Sequence, residues 1–161
     1  MNADEGLYHA KPQTQGRLFH KSIDEKVASH NKGELFSLPV LSEKYGLMGK
    51  IDVYKTKDKL LIERKYQLKH IFQGQVYQLW AQYLCLLEMG YGVEHIAFYE
   101  ISSNRLIPVS LPTERDIAEL SSFIKRFRKF NPVNHINTNP NKCKHCIYCN
   151  LCDKTEEENV Y

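Results

Sequence analysis

The chain lacks any long apolar run. No uninterrupted hydrophobic stretch approaches the roughly 20 residues that cross a bilayer, and no signal-peptide pattern is present. No membrane partner is expected, and the expected compartment is a reducing cytoplasm. Cysteine is scarce outside one place: of 5 cysteines, Cys85 alone lies before residue 143. The chain is not a small secreted scaffold, so a disulfide framework is excluded. Strong charge of one sign is also missing, since the net charge is +3. That value hides an asymmetry. Residues 153–161 carry Asp153, Glu156, Glu157 and Glu158 against Lys154, a local −3, which leaves +6 on the rest. Such a surplus permits a polyanionic partner without proving one. Disorder is excluded by a hydrophobic content of 42% and by 10 tyrosines. A length of 161 residues fits one domain and buries roughly two thirds of its extended surface.

What is present is concentrated near the C-terminus. Cys143-x2-Cys146-x2-Cys149-x2-Cys152 packs four thiols into one short run. Neighbouring cysteines in such a run pair poorly, so the run points to a metal or a cluster. Structural zinc usually takes two C-x2-C pairs set well apart. Three successive two-residue gaps look more like the iron–sulfur runs of ferredoxins, and a 4Fe–4S cluster is the favoured reading, with zinc as its rival. Lys142, Lys144 and His145 surround the run and would favour thiolate. Cys143, Cys146 and Cys152 also form a C-x2-C-x5-C subset that would need a fourth ligand from elsewhere. Cys85 lies in an apolar helical stretch and reads as an inert core cysteine.

Periodicity predicts a helix over 16–31 and a short strand over 35–40. The pattern then switches to period two, with strands over 47–54 and 59–66 joined as a hairpin. If Lys57 and Asp58 form the turn, Asp52 lies across from Glu63. A helix follows over 72–89, ended by Gly90, with Gln75, Gln78 and Gln82 as a polar stripe. Strands are expected over 93–101 and 106–109. Thr113 is the expected N-cap of a last helix, with Ile117, Leu120, Ile124 and Phe127 as its buried face. Lys125, Arg126, Arg128 and Lys129 crowd its C-terminal end. Basic residues there suit the helix dipole, and they also offer a DNA contact.

Asp52, Glu63 and Lys65 are the candidate catalytic group. Two carboxylates at a hairpin offer hard oxygen ligands for Mg²⁺ or Mn²⁺. A lysine beside them stabilises charge that develops on a phosphate. His20 offers an imidazole that suits Mn²⁺ better than Mg²⁺. The competing reading is a surface cross-strand pair worth roughly 0.2–1 kcal/mol.

Gly16-x3-His20, Gly49-Lys50-Ile51-Asp52, Glu63-Arg64-Lys65 and Gln78-Leu79-Trp80-Ala81-Gln82 appear in the order found in RecB-like nucleases. With the C-terminal cysteines, the chain resembles the CRISPR-associated RecB-like exonucleases of the PD-(D/E)xK superfamily that carry an iron–sulfur cluster. The phrase around Ile62–Gln67 and the stretch Ile147–Asn150 resemble members from single-effector systems. The resemblance covers roughly residues 16–152. It implies an α/β fold of restriction-endonuclease type, a central mixed sheet flanked by helices, with a cysteine-rich cluster-binding segment after it. It implies His20, Asp52, Glu63 and the Arg64 backbone carbonyl as metal ligands, Lys65 as the catalytic lysine, and Gln78 as a residue that positions DNA. It implies cleavage of single-stranded or frayed DNA and association with the CRISPR integrase complex during spacer acquisition.

The chain departs from the family pattern twice. The family helix motif is Gln-x3-Tyr, whereas here Gln82 stands four residues after Gln78 and Tyr83 comes one later. Family members also supply a cluster ligand from an N-terminal Tyr-Cys-Pro-like segment, and no cysteine precedes Cys85 here. Cys149 is expected to take that place beside Cys143, Cys146 and Cys152. The expected layout is an N-terminal loop over 1–15, a nuclease core over 16–130, a loop and cluster segment over 131–152 and an acidic tail over 153–161. Two other function classes stay open: a non-catalytic DNA-binding subunit of the integration complex, and a zinc-stabilised binding module.

Overall fold

A computed structural model describes residues 33–131 and 139–143. The expected helix over 16–31, His20, Cys146, Cys149, Cys152 and the acidic tail lie outside the described residues. Seven strands and three helices are described: β1 (Glu34–Phe36), β2 (Pro39–Ser42), β3 (Leu47–Lys50), β4 (Val53–Lys55), β5 (Leu60–Lys65), α1 (Gln73–Glu88), β6 (His95–Glu100), β7 (Arg105–Val109), α2 (Glu114–Lys129) and the single turn α3 (Pro140–Cys143). Five strands form one mixed sheet in the order β1-β4-β5-β6-β7, and β2 and β3 form a separate pair. The class is α/β, as the sequence predicts.

β5 is the middle strand of that sheet. It pairs antiparallel with β4 and parallel with β6. A parallel neighbour cannot be reached by a hairpin, so the chain crosses over through α1. Leu61, Leu79, Leu86, Ile96 and Phe98 are almost fully buried where helix and sheet meet. α1 ends because Gly90 takes a φ of +88°, with Gly90 N donating to Leu87 O and Tyr91 N to Leu86 O. That is a Schellman closure at the glycine expected to stop the helix.

The single strand expected over 35–40 is two strands. Ser37 has a φ of +54° and breaks the pleat. The strand expected over 47–54 breaks opposite it. The register still runs unbroken from Phe36↔Val53 to Pro39↔Lys50. Ser37 N donates to Asp52 O and Ile51 N to Leu38 O across the bend. β1 to β4 are thus one long ribbon, bent so that half joins the main sheet and half leaves it. Glu88, at the end of α1, accepts from Glu43 N at 2.9 Å, Lys44 N at 3.1 Å and the Ser42 hydroxyl. The ribbon's outer half is therefore clipped to the helix.

Thr113 caps α2 as expected. Its hydroxyl accepts from Asp116 N at 3.3 Å, and Asp116 accepts from Thr113 N at 2.8 Å. Leu120 is buried, but Phe127, expected on the buried face, is 71% exposed. The helix packs through Ile117, Leu120 and Ile124, while Tyr77 donates to Glu119 at 2.6 Å and its ring meets Phe123 at 5.3 Å. No helix among the described residues is long and apolar enough to cross a membrane.

Candidate active site

The ribbon's bend creates the first site feature. The β4–β5 ladder ends at Val53↔Ile62, because the chain turns away before Val53. Beyond that point the Arg64 backbone N–H has lost its strand partner. The Asp52 carboxylate replaces it, with Oδ2 accepting from Arg64 N at 2.7 Å. Asp52 continues the register to a place opposite Glu63, as the hairpin reading predicted.

Glu63 and Lys65 share one face of β5, two residues apart. Lys65 Nζ donates to Glu63 Oε1 at 2.8 Å and to Gln78 Oε1 at 3.1 Å. Gln78 Nε2 donates to the same Glu63 Oε1 at 2.6 Å. The second oxygen, Oε2, accepts from Gln82 Nε2 at 2.8 Å. Gln78 and Gln82 are one helical turn apart on α1, so both amides reach down onto the same carboxylate. Glu63 is 5% exposed, whereas the Lys65 side chain is 25% exposed. The pair runs from the interior to the surface.

A charged residue in the middle of a central strand is costly unless it is paired. Glu63 meets that condition. Its three donors among the described residues take three of about four lone-pair positions on a carboxylate, which leaves room among them for one bond to a cation. Asp52 brings a second carboxylate to the same strand end. Two carboxylates suit a hard ion that keeps several waters. Among the described residues no group of three His, Cys, Asp or Glu side chains gathers to hold a metal. His20 lies outside the described residues, so the described part of the site is the carboxylate pair.

The structure therefore joins Glu63, Lys65 and Gln78 by hydrogen bonds and sets Asp52 beside them, just before the neighbouring strand β4 and bonded to Arg64 N. Gln82 was not among the expected site residues. Its signal was the polar stripe Gln75, Gln78 and Gln82 beside the broad apolar stripe of the same helix. The stripe splits by role, since Gln75 Oε1 instead accepts from Phe72 N at 2.8 Å and caps α1.

The basic group on α2 also divides. Lys125, Arg126 and Lys129 are exposed. Arg128 is tied down, with Nη2 donating to Tyr45 O at 2.9 Å and Gly46 O at 2.6 Å. Gly46, at a φ of +59°, lets that guanidinium approach, because a Cβ there would collide with Arg128 Nη2. Arg128 is thus a strut between α2 and the β2–β3 turn, a contact that its three basic neighbours do not share in the described residues.

Cys85 is buried in α1, and burial pushes its thiol up to about 11. It stays protonated and is a poor metal ligand. Cys143 ends α3, where its N–H donates to Asn139 O at 3.0 Å. Two cavities, of about 470 and 360 Å³, lie along β6 and β7, and no residue of the Glu63 group lines either.

No family model matches the chain, and no curated protein matches it by sequence. Among solved structures, the crystal structure of SSO0001 superposes with a TM-score of 0.57 at 19% identity, covering 89% of this chain and 71% of that one. At that identity the likeness concerns the fold, an α/β arrangement around a mixed sheet.

Proposed function

We propose that the chain is a metal-dependent DNA exonuclease of the restriction-endonuclease-like kind, acting on single-stranded or frayed ends. The observation that carries this reading is the convergence of Asp52, Glu63, Lys65 and Gln78 where the bent ribbon leaves the sheet. Glu63 and Asp52 would hold Mg²⁺ or Mn²⁺, with the Arg64 carbonyl and His20 as further ligands by resemblance. A bound ion supplies Lewis acidity toward a phosphoryl oxygen. Lys65 places an ammonium at the surface end of the group, where it offers charge to a scissile phosphate. Gln78 Oε1 holds that ammonium in place.

By the same resemblance, the biological role is the trimming of spacer precursors beside the CRISPR integrase complex. The cysteine run would hold a 4Fe–4S cluster that ties down the C-terminal segment. Anaerobically purified protein is expected to contain iron and sulfide, and about one zinc per chain without iron would contradict the cluster. The function is tested by incubating the full chain with 5′-labelled and 3′-labelled single strands in Mn²⁺ or Mg²⁺. Shortening from one end that stops on chelation is the expected result. Retained binding without cleavage at either end would favour the non-catalytic subunit.

A further inference from the structure

We infer that Gln82 is a positioning residue that holds the Glu63 carboxylate for a divalent cation. The inference rests on the nuclease reading in one respect, that Glu63 is a cation ligand. Gln82 sits on the buried side of α1 and is 7% exposed, between Leu79 and Leu86, which are both fully buried. A side-chain amide has two donor hydrogens and a two-lone-pair acceptor. Gln82 Nε2 donates to Glu63 Oε2 at 2.8 Å, while its Oε1 is buried with no partner among the described residues. Burying an unpaired acceptor costs free energy, and packing alone would be served by Met or Leu without that cost. The amide's purpose is therefore its one bond.

The orientation of that amide follows from its partner. A flipped amide would set Oε1 against Glu63 Oε2, two acceptors face to face. With Gln78 on Oε1 and Gln82 on Oε2, donors from a single helix grip both oxygens and fix the plane of the carboxylate. Groups that orient a metal's ligands typically change affinity by about 10–100-fold when removed. A residue that only fills space does not.

The test uses the full chain with Gln82→Met, which keeps length and volume but removes both the donor and the orphaned acceptor. Gln82→Leu serves as a second variant should the first fail to fold. The readouts are the Tm and the Mn²⁺ affinity by calorimetry without DNA, followed by turnover across a Mn²⁺ titration. The expected result is a Tm equal to or above the parent's, a Mn²⁺ Kd about 10–100-fold weaker, and turnover that recovers toward the parent's as Mn²⁺ is raised. A lowered Tm with an unchanged Kd would mark Gln82 as a packing residue and overturn the inference alone. A parent chain that binds no Mn²⁺ would overturn the nuclease reading and this inference with it.

Discussion

Glu63 and Glu100 are buried to the same degree, each 5% exposed, on neighbouring strands of one sheet. Their partners differ in kind. Glu100 accepts from the backbone N–H of Leu68 at 2.6 Å, from the Ser103 hydroxyl, and from Arg105 Nη2 at 3.3 Å. These bonds fasten the segment after β5 to the turn after β6. Among the described residues, Glu63 takes its donors from side chains, two of them on α1 and one on its own strand. Glu100, with one backbone donor and two side-chain donors from the segments it ties together, is committed to architecture. Glu63 is held by side chains alone among the described residues and sits beside a lysine whose side chain is 25% exposed, which suits it to chemistry.

After loss of Glu63 itself, the largest expected effect comes from the lysine beside it. Lys65→Ala removes the ammonium but none of the oxygen ligands. Turnover is expected to fall by about 10²–10³-fold, while calorimetric Mn²⁺ affinity stays near the parent's. Turnover within a factor of two of the parent would remove Lys65 from the mechanism.

Glu100 should respond in stability instead. The Leu68 backbone N–H, and then the Ser103 hydroxyl, hold its carboxyl below the ordinary carboxylate range. A depressed folded pKa contributes stability that is present above the unfolded value, about 4.3, and is lost as the pH falls through the lower folded value. Glu100→Gln is therefore expected to lower the Tm by a few degrees near neutral pH. The difference from the parent should shrink below about pH 4. Thermal melts across pH check this, and a difference that grows in acid would contradict the role assigned to Glu100.

The two regions were unequally legible in the sequence. Alternation on β5 was enough to put Glu63 and Lys65 on one face, and the polar turn at Lys57 and Asp58 was enough to set Asp52 opposite Glu63. Those are local, period-two arguments. Thr113 and Gly90 were readable as helix ends because capping needs particular side chains and a positive φ. The break at Ser37 was hidden, because serine carries no strong signal for a left-handed backbone. Phe127 fits the helical period but is 71% exposed, one turn beyond Ile124, the last of the four to pack on the core, so period alone overstated the buried face. Arg128 looked like its basic neighbours. Its separate role depends on Gly46, 82 residues earlier in the chain, and no local pattern reports that contact.

A smaller effect sharpens the division of the basic group. Arg126→Ala/Lys129→Ala is expected to flatten the log affinity against log salt slope for single-stranded DNA by about 1.4, since each phosphate contact contributes about 0.7. Arg128→Ala is expected to leave that slope unchanged and to lower the Tm slightly. Binding isotherms from low to moderate salt distinguish the three. A slope that responds to Arg128 and not to the other two would reverse the assignment.

The central claim is that Glu63 serves chemistry and Glu100 serves architecture. Its most direct test is the Mn²⁺-dependent cleavage of end-labelled single strands by Glu63→Gln and Glu100→Gln, each checked for folding by its melt. The account predicts no detectable cleavage by folded Glu63→Gln and near-parental cleavage by Glu100→Gln at a temperature where it is folded. Cleavage retained in Glu63→Gln, or lost in folded Glu100→Gln, would contradict it.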